Sequence, residues 1–185
     1  RSILRADPDV VLVGEIRDYE TATIAIEAAL TGHLLLSTLH TNDAPSAITR
    51  MTEIGCEPFL VATALQAVVA QRLARKLCTH CKVAYTENPE TLRQLQFPHE
   101  HSDPPQLYRT GGCPSCSGTG YRGRIALHEV MTMSDELAQL VTTHATGTQL
   151  RQTALAQGMV ALRDDGWSKV TQGLTTIEEV LRVSV

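Results

Sequence analysis

Residues Val10-Val11-Leu12-Val13 form an apolar run with no polar alternation. Such a run predicts a strand covered on both faces, as in a parallel sheet. Gly14 ends it and Glu15 follows, at the carboxyl edge where open α/β sheets bind their ligands. Asp18 is placed as an N-cap for the small-residue segment YETATIAIEAALTG, which predicts a helix of about 12 residues stopped by Gly32. HLLLSTLH, 33–40, is again apolar on both faces and predicts a second strand. Strand, helix and strand with short joints make a βαβ unit, so the sheet is expected to be parallel or mostly parallel.

TNDAPS, 41–46, reads as a turn opening a helix to Ile54, with Gly55 as its stop. Pro58 suits a first helical position, and FLVATALQAVVAQRLARKL carries apolar residues at helical spacing through Leu77. The pattern changes at Cys78. From there to Arg124 the chain is rich in Pro, Gly, His and Ser, as expected of a small element organised by something other than a large core. RIALHEVMTM, 124–133, alternates like a strand. Helical signals follow in SDELAQLV, TQLRQTALAQG, MVALRDDGWSKVTQG and TTIEEVLRV, with Gly158 and Gly173 as stops and Thr176 with Glu179 as a capping box. The expected fold class is α/β. Its expected divisions are 1–77, 78–124 and a C-terminal strand and helical region at 125–185.

Composition narrows the function. The 185 residues are 43% hydrophobic but only 4% aromatic, so the core must rest on Ala, Val, Leu and Ile. A net charge of −4 argues against non-specific binding to nucleic acid or a membrane surface. No stretch approaches the roughly 20 apolar residues of a membrane span. The chain opens at Arg1, without a Met, on what reads as a helix end, which suggests a piece of a longer protein. All but three of the 16 basic residues are Arg, the side chain suited to bidentate contacts with phosphate and carboxylate.

CTHC, 78–81, and CPSC, 113–116, are two CxxC pairs. Each makes a knuckle that aims two thiolates at one centre, so Cys78, Cys81, Cys113 and Cys116 are expected to form a four-thiolate zinc set, with disulfides or free thiols as the alternative. The intervening residues, 82–112, are a long loop, but closure entropy grows only logarithmically with length. Structural zinc binding, on the order of 10–16 kcal/mol, outweighs it. A closed four-sulfur site leaves no position for substrate, so its role is structural. Cys56 stands alone and reads as core filler.

Glu15 can orient or deprotonate an attacking water, as in phosphoanhydride hydrolysis. The competing role is an acid at a helix N-terminus, which Asp18 and Glu20 already fill. Strand geometry sets His40 beside Glu15 and His33 at the opposite end. A P-loop, G-x-x-x-x-G-K-[ST], is absent, since no Lys in this chain follows a Gly. The chain is therefore not expected to cradle nucleotide phosphates by that route.

Three landmarks resemble one family. LRADPDVVLVGEIRD, 4–18, is similar to the Walker B segment of the type II secretion and type IV pilus assembly ATPases. TGHLLLSTLHTNDA, 31–44, is similar to their His box, and QRLARKLCTHCK with GCPSCSGTGYRGRIALHEV resembles the zinc-bearing element of the secretion and pilus-extension branch. The retraction ATPases of the superfamily lack the knuckles. The resemblance implies the carboxyl-terminal part of a RecA-like motor domain, with Walker B and His box in 1–77 and the zinc element in 78–124. Glu15 is then the Walker B glutamate, acting on water or through Mg2+, and His33 and His40 are the His-box pair. Arg17 and Arg50 match segments that contact nucleotide or line subunit boundaries, as do Arg1, Arg5 and Arg124. The resemblance further implies ATP as cofactor, a cytoplasmic homo-hexamer on an inner-membrane platform, and no activity for this chain alone. RLARKLCTHCK and TNDAPSAITRM lean toward pilus assembly over secretion.

The alternative is a zinc-binding interaction module, chaperone-like or a nucleic-acid zinc ribbon. CPSCSGTG matches the CxxCxGxG repeat of J-domain co-chaperones once, where those proteins use four. A ribbon that bound nucleic acid would call for basic and stacking residues. Neither version accounts for LVGEIRD and LSTLHTN.

Overall fold

The Asp18 carboxylate accepts from the backbone N–H of Thr21 at 2.9 Å, and that cap starts the first helix where the sequence places it. The computed structural model describes residues 8–98 and 104–184. Arg1 and Arg5 therefore lie outside the described residues. The contacts gather the chain into two units: one takes it up to Ala70 together with Val130–Met159, the other Gln71–Glu129 with the chain from Val160.

The first unit opens with β1 (Val10–Leu12), α1 (Tyr19–Leu30) and β2 (Leu34–Leu36). β1 and β2 pair in parallel, with Val10 opposite Leu34, Val11 opposite Leu35 and Leu12 opposite Leu36. The expected α/β unit is present, but two details differ. The second strand covers three residues rather than 33–40, because the chain beyond Leu36 leaves the regular ladder. The strands are also not covered on both faces. Val11 is buried, whereas Val10, Leu12, Leu34 and Leu36 are all at least half exposed. Among the described residues of this unit α1 packs on β2, and the two-stranded sheet has no second layer over its other face.

Gly32 has φ of 99° and stops α1, a conformation that costs a residue with a Cβ more than it costs glycine. α2 (Ala44–Glu53) starts at Asp43, whose carboxylate accepts from Ser46 N–H at 2.8 Å. α3 (Pro58–Ala64) carries Pro58 in its first turn. It does not continue to Leu77. Leu65 is extended, with φ −78° and ψ 123°, and β3 (Ala67–Leu77) follows. The apolar positions of 67–77 fit both periods. Its Val68-Val69 pair and the presence of a partner, β6 (Tyr121–Thr132), favour the strand. α5 (Asp135–Thr142) and α6 (Gly147–Ala156) complete the unit. α3 packs on α5, burying Val61, Leu137 and Val141, each contributing about 2 kcal/mol.

In the second unit β4 (Val83–Thr86) pairs antiparallel with β5 (Gln106–Arg109). Between them lies α4 (Pro89–Gln94), capped by Asn88, whose side chain accepts from Glu90 N–H at 2.8 Å. α7 (Leu162–Thr171) carries the fully buried Trp167, its ring centroid 5.2 Å from that of Phe97. α8 (Ile177–Val183) packs on α7 at Gly166, where a Cβ would stand 2.6 Å from Val180 Cγ1. The Thr176 hydroxyl caps α8 by accepting from Glu179 N–H at 3.3 Å. The expected capping box is half formed, because the Glu179 carboxylate turns instead to Arg75 and Arg182.

Candidate functional site

Glu15 stands just beyond β1, and its carboxylate is mostly enclosed, with about a fifth of the side chain exposed. Oε2 meets the Arg17 guanidinium at 2.7 Å, and Oε1 lies 2.7 Å from His40 Nε2. The contact with the imidazole is close, but it is an ion-pair approach and Oε1 makes no hydrogen bond among the described residues. Arg17 follows Glu15 by two residues in extended chain, which puts both side chains on one side. The hydrogen bond from Arg17 holds the Glu15 carboxyl below the usual carboxylate range. Partial desolvation opposes this, and the charges of Arg17 and His40 reinforce it. The result is an ionised acid at a strand end, beside a solvent-facing imidazole and a guanidinium. Such a group can orient a water, accept its proton or approach a hydrated cation.

The two histidines part company. His40 lies on the segment leaving β2 and reaches Glu15. His33 lies at the amino end of β2, where its Nδ1 donates to the Ala28 carbonyl at 3.0 Å and its backbone N–H donates to the same oxygen at 3.2 Å. Arg50, in the last turn of α2, pairs with Glu53 at 3.4 Å. Arg124 is exposed on β6. Among the described site residues, then, the fold brings together Glu15, Arg17 and His40.

Nothing in the fold requires glycine at 14: its φ is not positive and a Cβ would meet no atom within 4 Å.

In the second unit the sulfurs of Cys78, Cys81, Cys113 and Cys116 lie within 4.8 Å of one another. Cys78 and Cys113 are 3.8 Å apart, Cys81 and Cys116 3.8 Å, and Cys113 and Cys116 3.7 Å. A tetrahedron with zinc–sulfur bonds of about 2.3 Å has edges of about 3.8 Å, which these three separations match, so the donor set fits zinc. Cys116 Sγ accepts backbone N–H groups of Cys113 at 3.3 Å and Gly120 at 3.2 Å. Burial works against the Cys116 thiolate, but these donors outweigh it and bring the thiol down to about 6. Burial, then the neighbouring thiols, push Cys81 up to about 12. Gly111 lets the knuckles close, since a Cβ there would lie 2.2 Å from the Cys81 carbonyl oxygen.

Sequence reading missed a buried acid. Glu179 is enclosed on α8 and accepts from the Arg75 backbone N–H at 2.9 Å. Arg75 and Arg182 guanidinium groups close over its two oxygens. Only the Arg at i+3 is a local signal.

Comparison with known proteins places this fold in a class. It superposes over 99% of its length on the pilus retraction motor PilT solved with bound ADP, with 25% identity, a TM-score of 0.67 and 41% of that chain covered. The Legionella pneumophila ATPase DotB shares the fold at 19% identity, with a TM-score of 0.66 over 98% of this chain and 40% of its own. Residues 1–182 match the family described as Type II/IV secretion system protein, and the chain belongs to it. It is 51% identical over 98% of its length to the type IV pilus assembly ATPase PilB of Thermus thermophilus, covering 20% of that protein. It is 50% identical over its whole length to the type II secretion system ATPase E of Vibrio cholerae, covering 36% of it. The chain thus spans about a fifth to a third of the relatives it matches most strongly. No helix among the described residues is long and apolar enough to cross a membrane.

Proposed function

We propose that the protein to which this chain belongs is a motor that hydrolyses ATP to drive type IV pilus assembly or type II secretion. The observation that carries this reading is the ionised Glu15 at the carboxyl edge of β1, within 2.7 Å of His40, in a chain that is half identical to named ATPases of both systems. In this reading Glu15, the Walker B acid, either orients the attacking water and accepts its proton or would hold the hydrated Mg2+ that accompanies the nucleotide. His40, of the His box, lies against that carboxylate with its side chain open to solvent, where it would meet a phosphate. Arg17 keeps Glu15 ionised and is free to change partner when nucleotide arrives. His33 holds the end of α1 and positions the start of β2.

Zinc on Cys78, Cys81, Cys113 and Cys116 is structural. It closes the 78–124 element on itself, between the motor core of 1–77 and the C-terminal region of 125–185 in chain order. The assembly is a cytoplasmic homo-hexamer working against platform proteins at the inner membrane. This chain by itself carries no P-loop lysine and turns over no ATP. The test uses the full-length protein: Glu15→Gln removes the base and keeps the shape. Nucleotide binding should persist within a few-fold while turnover drops at least a hundredfold. A Glu15→Gln protein with wild-type turnover overturns the assignment.

A further inference from the structure

We infer that Thr38 is a positioning residue for Glu15, its hydroxyl holding the strand end in the offset that turns the carboxylate toward His40. The inference rests on the reading of Glu15 given above and deepens it.

The ladder between β1 and β2 keeps a constant register, each residue of β1 opposite the one 24 further on (34 − 10 = 24). The bond from Val13 N–H to the Leu36 carbonyl, 2.9 Å, continues that register. The next donor in step would be Glu15, to the carbonyl of Thr38. Instead Ile16 N–H donates to Thr38 O at 3.0 Å. One extra residue has therefore entered the first strand between Val13 and Ile16. That is the geometry of a bulge, which bends a strand and re-aims a side chain.

A bulge leaves backbone groups out of the ladder, and these need other partners. The Gly14 carbonyl finds one in the Thr38 hydroxyl, which donates to it at 2.8 Å. Thr38 thus grips the first strand on both sides of Glu15: its hydroxyl on the preceding carbonyl, its own carbonyl on the following N–H. Neither contact touches the carboxylate, so Thr38 acts through Glu15. Without the hydroxyl, Ile16 N–H could slip back and Glu15 rejoin the ladder, which would move its carboxylate away from His40. A displacement of about 1 Å at a reacting group can cost on the order of a hundredfold in rate.

The experiment compares Thr38→Val, Thr38→Ser and Glu15→Gln in the full-length protein, measuring kcat, KM and the affinity for a fluorescent ADP analogue. Thr38→Val, nearly isosteric, should lower kcat about tenfold or more while KM and ADP affinity stay within about twofold. Thr38→Ser keeps the donor and should restore kcat to within about threefold. Wild-type kcat in Thr38→Val, alongside a dead Glu15→Gln, overturns the role of Thr38 and leaves that of Glu15 standing. Loss of ADP affinity in step with kcat, or failure of Thr38→Ser to rescue, assigns Thr38 to the fold alone and also overturns it. Full turnover in Glu15→Gln overturns the reading beneath both.

Discussion

Nε2 of His40 lies 2.7 Å from Oε1 of Glu15, whereas the ring of His33 is turned to the carbonyl of Ala28. The two histidines stand at opposite ends of one short strand, and their different partners give them different work. In the full-length protein His40→Ala should reduce ATP turnover at least tenfold more than His33→Ala. His33→Ala removes a hydrogen bond from the end of α1 and should cost about 1 kcal/mol of stability. Paired measurements of kcat and thermal midpoint decide the matter. A larger kcat loss in His33→Ala would show that the carboxyl edge is not where the imidazole chemistry happens.

Local signals explain what was legible beforehand. Asp18 with Thr21, Asp43 with Ser46 and the positive φ of Gly32 act within a few residues, so the βαβ unit could be read directly from the chain. The cysteine knuckles were legible because few structures other than metal sites require that spacing. Segment 67–77 was not, because its apolar residues satisfy two periods and its partner β6 comes some 50 residues later. Glu179 looked like half of a capping box, yet its other partner, Arg75, lies 104 residues away. The exposed faces of Val10, Leu12, Leu34 and Leu36 were hidden for a related reason. An apolar run states that a face avoids water, but not which element covers it.

The four-sulfur cluster makes a prediction independent of ATP. Purified full-length protein should carry one zinc per chain in the 78–124 element, and Cys78→Ser should reduce that content to near zero. Losing the metal should also lower the thermal midpoint, because Gly111 and the two knuckles are closed by the same centre. Cys56→Ser serves as the comparison. Cys56 is buried in the first unit, where desolvation raises its thiol, and its replacement should leave the metal content unchanged. Unaltered zinc in Cys78→Ser would contradict the four-cysteine assignment.

The last prediction concerns acid stability. Burial by itself would raise the Glu179 carboxyl, but bonds from Arg182 and Arg75, including the Arg75 backbone N–H, outweigh it and take the group from 4.5 to about 2. A carboxyl depressed on folding binds protons more tightly when the chain is unfolded. It therefore contributes stability that is fully present above about 4.5 and is lost as pH falls toward about 2. Glu179→Gln retains the shape and removes the charge. At neutral pH it should destabilise by about 2 kcal/mol, the loss of charge-assisted hydrogen bonds. Both guanidinium groups are half exposed and can return to water, which keeps the loss below that of a fully buried pair. Denaturant unfolding of both proteins between pH 7 and pH 2 provides the check. The gap between them should hold constant down to about pH 5 and then close. A gap that persists undiminished at pH 2 would mean that packing at α8, rather than the ionised carboxylate, joins that helix to β3.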